Sequence, residues 1–93
     1  MAHALRPATS QDVAIGASST PCTNAFQPGI TTVRLVATSA CYVAFAASPT
    51  AAKPGGVRLA PNWPETFTVR NGEKVAVIQD AAGGTLTVTE MTS

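Results

Sequence analysis

Charge is what this chain has least of. Only 12% of its 93 residues are Asp, Glu, Lys or Arg, about half the usual share, and six Lys/Arg against five Asp/Glu leave a net +1. So sparse and balanced a set offers no basic field from which phosphate counterions would be displaced, and nucleic acid is not an expected partner. The chain also lacks the low hydrophobicity and high net charge of a disordered one, because 45% of its residues are hydrophobic, which is enough for a core. One domain over residues 1–93 is expected.

Groups that carry chemistry are almost as scarce. The single histidine, His3, lies on a segment expected to be mobile, whereas general acid–base work needs a positioned group. Cys22 and Cys41 are separated by 18 residues with no Cys-x-x-Cys and no paired histidines, so zinc is not expected. A disulfide scaffold would carry more cysteines in so short a chain. Both are read as reduced, and Cys41 as a small buried hydrophobe. Gly-x-Ser-x-Gly is missing. Lys53-Pro-Gly-Gly-Val-Arg58 has glycines and cations but not the strand–loop–helix setting of a phosphate cradle. Asp12, Glu65, Glu73, Asp80 and Glu90 fall near strand ends and turns and are read as solvated charges. No catalytic, cofactor-binding or metal-binding residue is nominated, and no enzyme is expected.

Long apolar runs are missing too. The longest, Ala40 to Ala47, is far short of a bilayer span, and no signal-peptide pattern opens the chain, so no membrane partner is expected.

What is abundant is Ala, 17 residues, and Thr, 13. A surface made of them is easily desolvated, since small side chains lose little rotamer entropy, which suits burial against protein. GC-rich coding would enrich Ala and Gly without any interface.

Period-2 alternation rich in β-branched residues recurs along the chain and no stretch reads as helix, so an all-β fold is expected. An extended N-terminal arm through Gln11 precedes a strand over 12–17, and the Ser/Thr/Pro/Asn segment 18–29 cannot alternate. Val33, Leu35 and Ala37 share one face of a strand over 31–38, with Thr32, Arg34, Val36 and Thr38 on the other. Cys41-Tyr-Val-Ala-Phe-Ala follows at once, which suggests an antiparallel hairpin.

A strand over 57–60 follows a Pro/Gly loop, and Pro61-Asn-Trp-Pro64 reads as a connection between sheets. Strands over 65–70, 73–79 and 85–90 read as a meander, its first turn the hairpin signal Asn71-Gly72. Lys74-Val-Ala-Val-Ile is apolar on both faces and so belongs inside a sheet. Six to seven short strands of this kind pack as a small antiparallel β-sandwich.

Val13-Ala-Ile-Gly-Ala-Ser, Val33-Arg-Leu-Val-Ala-Thr-Ser-Ala-Cys-Tyr-Val-Ala-Phe, Ser48-Pro-Thr-Ala, Leu59-Ala-Pro, Gly72-Glu-Lys-Val-Ala-Val-Ile-Gln and Gly84-Thr-Leu-Thr-Val-Thr-Glu-Met together resemble a family of small structural proteins of tailed bacteriophages. The resemblance runs from about residue 12 onward and departs at Ala46-Ala47, where the pattern would carry a glycine. It implies a capsid cement, decoration or head-to-tail accessory protein, assembled in a host cytoplasm and located in the virion. The implied partner is the major capsid protein or another virion protein, with no cofactor.

Three sets of residues are candidate contacts. Leu5, Arg6 and Pro7 lie on the arm, Trp63 lies in the Pro-flanked connection, and Thr66, Thr68, Thr85, Thr87 and Thr89 form charge-poor strand faces suited to a homo-oligomer, with a trimer as the form drawn from decoration proteins. A carbohydrate-binding module on a fibre or tail, built around Trp63 and Tyr42, is the alternative.

Overall fold

The computed structural model describes residues 6–51 and 56–92. They form eight strands: β1 (Arg6–Ile15), β2 (Thr20–Pro21), β3 (Thr32–Ala37), β4 (Cys41–Ala46), β5 (Val57–Leu59), β6 (Glu65–Thr68), β7 (Lys74–Gln79) and β8 (Gly84–Thr92). The first sheet has the order β1-β8-β3-β6, the second β2-β7-β4-β5, and every ladder is antiparallel. β1 pairs with β8, β2 with β7, β3 with β6 and β4 with β5. That is one long antiparallel hairpin folded around a barrel-like core, closed by the β3–β8 and β4–β7 ladders. This is the strand order of a jelly roll.

The sandwich expected from the alternation is present, with one more strand than expected, because the two-residue β2 is too short to show a period. Within this order two expected local pairings do not form. β3 and β4 lie in different sheets, so 31–38 and 41–46 make no hairpin. Each has one apolar face, and crossing from sheet to sheet through Thr38-Ser39-Ala40 sets Val33, Leu35 and Ala37 against Cys41 and Val43, all without solvent exposure. A hairpin would set those faces side by side and leave them needing another layer.

The C-terminal strands likewise form no meander, since β6 and β8 belong to the first sheet and β7 to the second. Asn71-Gly72 is a corner between sheets. The Glu73 N–H donates to the Arg70 carbonyl at 3.1 Å, and only Gly72, at φ 84°, is left-handed. That is a type II turn, which needs positive φ at its third residue alone.

Two such corners are locked together. Thr38 N–H donates to Thr85 O at 3.0 Å, Thr85 N–H returns to Thr38 Oγ1 at 2.9 Å, and Ser39 Oγ donates to the carbonyls of Ala82 and Gly83 at 3.2 and 3.0 Å. Gly83 and Gly84 permit the approach: a Cβ on Gly83 would meet the Ile15 carbonyl at 2.7 Å, and one on Gly84 would collide with the hydroxyls of Thr38 and Ser39.

The core lies between the sheets and is made of Val33, Leu35, Leu86 and Val88 from the first and Val43, Leu59, Val75 and Val77 from the second. Phe26, Phe45 and Phe67 form a chain of tilted rings across one end, with centroids 6.5 and 5.3 Å apart. β7 is interior to its sheet, as its two apolar faces require, and even Ala76 is fully buried.

The N-terminal segment is not a free arm over its described part. From Arg6 it is strand β1 on the edge of the first sheet, where Pro7 is tolerated because an edge strand has one unpaired side. A bulge between Pro7 and Ser10 absorbs one extra residue, and the 22–30 segment borders that edge, with Gln27 Nε2 on Thr9 Oγ1 at 3.2 Å and Gln11 exchanging two bonds with Asn24.

Candidate binding face

The jelly-roll order brings the candidate threonines together although they lie on two non-adjacent strands. Thr66 and Thr68 stand on β6, Thr85, Thr87 and Thr89 on β8, and all five point outward from the first sheet, opposite to the buried Leu86 and Val88. The strand between them, β3, adds Thr32, Arg34 and Val36, and β1 adds Ser10, Asp12 and Ala14.

Neighbouring hydroxyls on this face bond laterally. Thr87 Oγ1 donates to Asp12 Oδ1 at 3.0 Å, and Ser10 and Thr89 share a bond of 3.4 Å. These two bonds hold the side chains of Ser10, Asp12, Thr87 and Thr89, so covering that part of the face costs little further ordering. The sequence alternation had already placed Thr32, Arg34 and Val36 on one side of their strand. What it lacked was the pairing that sets them between two threonine strands.

The other candidates stand apart. Leu5 lies outside the described residues, as does His3. Arg6 opens β1 opposite Thr92, and Pro7, opposite Met91, is exposed. Trp63 is 66% exposed on the connection from β5 to β6. That connection is fastened at its start, because Pro61 bridges Ala37 and the Asn62 N–H donates to the Ala37 carbonyl at 2.7 Å. Asn62 is left-handed at φ 58°, a conformation asparagine tolerates better than most residues. Tyr42 belongs elsewhere, on the outer side of the second sheet between Arg58 and Ile78. The two aromatics therefore sit on different parts of the fold.

The carboxylates are not uniformly solvated as expected. Glu90 is 2% exposed, on the inner side of β8, and its Oε1 accepts the Gln27 N–H at 3.2 Å, tying the 22–30 segment to the first sheet. Its place at the end of the expected strand over 85–90 concealed this in the sequence. Glu73 accepts the Arg70 N–H inside its turn at 2.8 Å, and Asp80 pairs with Arg58 at 3.2 Å.

Cys22 and Cys41 are buried and free. They flank β7 from opposite sides, Cys22 level with Val75 and Cys41 with Gln79, roughly 13 Å apart along the strand alone, too far for a disulfide. Burial pushes the Cys41 thiol up to about 11, against a smaller opposing effect of Arg58. It is a packing group in a dry interior, not a nucleophile. Among the described residues no group of three or more His, Cys, Asp and Glu is placed to hold a metal, and no pocket opens. No helix there is long and apolar enough to cross a membrane.

What the fold and the face define is an all-β jelly-roll domain with a threonine-covered outer sheet. Compared with family models, with curated proteins and with solved structures, the chain matches none.

Proposed function

We propose that this is a non-enzymatic structural protein of a tailed-phage virion, a capsid cement or decoration protein, that works by burying protein against its surface. The observation that carries the reading is the outer face of the first sheet: five threonines from β6 and β8, with Thr32 between them, on a surface with very few charges. Sheet faces meant for water usually carry more charge, and on this one the hydroxyls of Ser10, Thr87 and Thr89 are already bonded to neighbours. Two lines support the virion setting. One is the sequence resemblance to phage structural proteins, and the other is that jelly rolls build many viral capsid domains, which is an argument from fold analogy.

Mass spectrometry of particles purified from the producing host tests the reading. The protein should be present at hundreds of copies per particle, by analogy with cement proteins in general. Its absence from particles overturns the proposal.

Trp63 carries a second reading. A tryptophan 66% exposed on a fastened connection suits stacking on a sugar ring. Glycan-array binding that Trp63→Ala abolishes would establish a carbohydrate-binding module in its place. Tyr42 is too differently placed to share that platform.

A further inference from the structure

The outer face of the first sheet is laid out in rows. Ser10, Thr89, Arg34 and Thr66 make one, and Asp12, Thr87 and Val36 the next. Beyond these stand Ala14 with Thr85 at one end and Met91, Thr32 and Thr68 at the other.

Within these rows stand two charges of opposite sign, both exposed: Asp12 on β1 and Arg34 on β3. They lie on opposite sides of β8 and one row apart, which at ordinary sheet spacings is roughly 10 Å across and 7 Å along. The two form no ion pair with each other, and Asp12 is held by Thr87 instead.

This arrangement is complementary to itself. A twofold axis lying in the plane of the face and crossing β8 between Thr87 and Thr89 carries Asp12 of each copy onto Arg34 of the other. The two charges then pair twice, which is how an isologous interface repeats one contact. Between the pairs, small hydroxyl side chains with little rotamer entropy meet their twins near the axis.

The size suits a weak dimer. The twelve positions in these rows, each about 4.8 Å by 7 Å, present on the order of 400 Å² a side, so about 800 Å² in all, the scale of a transient interface.

We infer that the occupant of this face is a second copy of the same chain, packed face to face about a twofold axis with reciprocal Asp12–Arg34 pairs. This rests on the reading of the face as a protein-burying surface and names its partner. A self-complementary face closes with two copies, so the unit is a dimer in place of the expected trimer.

Sedimentation velocity from micromolar to near-millimolar concentration tests this. Wild type should pass from monomer to dimer. Arg34→Asp and Asp12→Arg should each remain monomeric with unchanged melting, because each sets like charges together. An equimolar mixture of the two should dimerise again, since each now supplies the charge the other lacks. Arg34→Gln and Asp12→Asn, which remove charge without reversing it, should weaken the same step in case a reversal impairs folding.

A wild-type monomer throughout the range overturns the inference, as do single charge reversals that dimerise like wild type. A wild-type monomer found in particles overturns the second copy and leaves the virion reading standing. A wild-type dimer absent from particles does the reverse.

Discussion

Gly72 turns the chain from the first sheet to the second with φ at 84°, and a Cβ there would meet no neighbouring atom. The cost of substitution is therefore backbone strain alone. Gly72→Val should lower stability by about 1–2 kcal/mol, the penalty for an L-residue held left-handed, with a branched side chain at the upper end. Urea denaturation measures it. Glu90 makes a different case. Glu90→Ala removes the acceptor of the Gln27 N–H and empties a buried site, so a loss of about 2–3 kcal/mol is expected. Trp63→Ala, on an exposed connection, should change stability by no more than about 0.5 kcal/mol.

Cys41 fixes a pH dependence. Its thiol keeps its proton to about 11 in the folded chain, whereas the unfolded thiol ionises at its ordinary value of 9.0. The unfolded state thus loses its proton first, so this group's contribution is fully present below pH 9 and is lost as pH rises through about 11. Melting followed across that window should fall more steeply for wild type than for Cys41→Ala.

At the scale of elements, the alternation told which side of each strand is buried, and it told this well. Leu86 and Val88 face in with Thr85, Thr87 and Thr89 out, and Cys41–Ala46 begins and ends where its pattern does. Period 2 does not say which strand lies beside which. Hence the short links at Ser39-Ala40 and Asn71-Gly72 read as hairpins, when both are corners between sheets. A hairpin and a corner put the same demand on Gly72, a positive φ, and differ only in partners 28 or more residues away. β2 escaped notice because two residues joined to β7 carry no period, and β1 began earlier than expected because Arg6-Pro-Ala-Thr-Ser pairs through its backbone around a bulge. The locked corners supply an element-scale test. Gly83→Val should reach the Ile15 carbonyl, displace the 80–84 corner and lower the melting temperature, while Ala81→Val, on an exposed position of the same loop, should not.

The whole molecule is where sequence reading had least purchase on the binding face. The five threonines were legible as charge-poor strand faces, but Asp12, Arg34 and Thr32 join them only because β8 lies between β1 and β3 and β6 borders β3. Such pairings join residues up to 86 positions apart, as Arg6 and Thr92 show. The rolled hairpin makes almost every stabilising ladder of this kind, so folding should be slow for a chain of this length, as contact order dictates.

On the proposed reading the outer face of the first sheet is covered by protein in the particle, and the copy number of variants in purified particles decides whether it is. Thr87 sits at the centre of the face, and Thr23 is exposed on the 22–30 segment outside it. A lysine at either position is tolerated in water but costly when desolvated. Thr87→Lys should keep the wild-type melting temperature and be lost from particles, with Thr23→Lys retained at the wild-type level. A Thr87→Lys variant present at the wild-type copy number would contradict the claim.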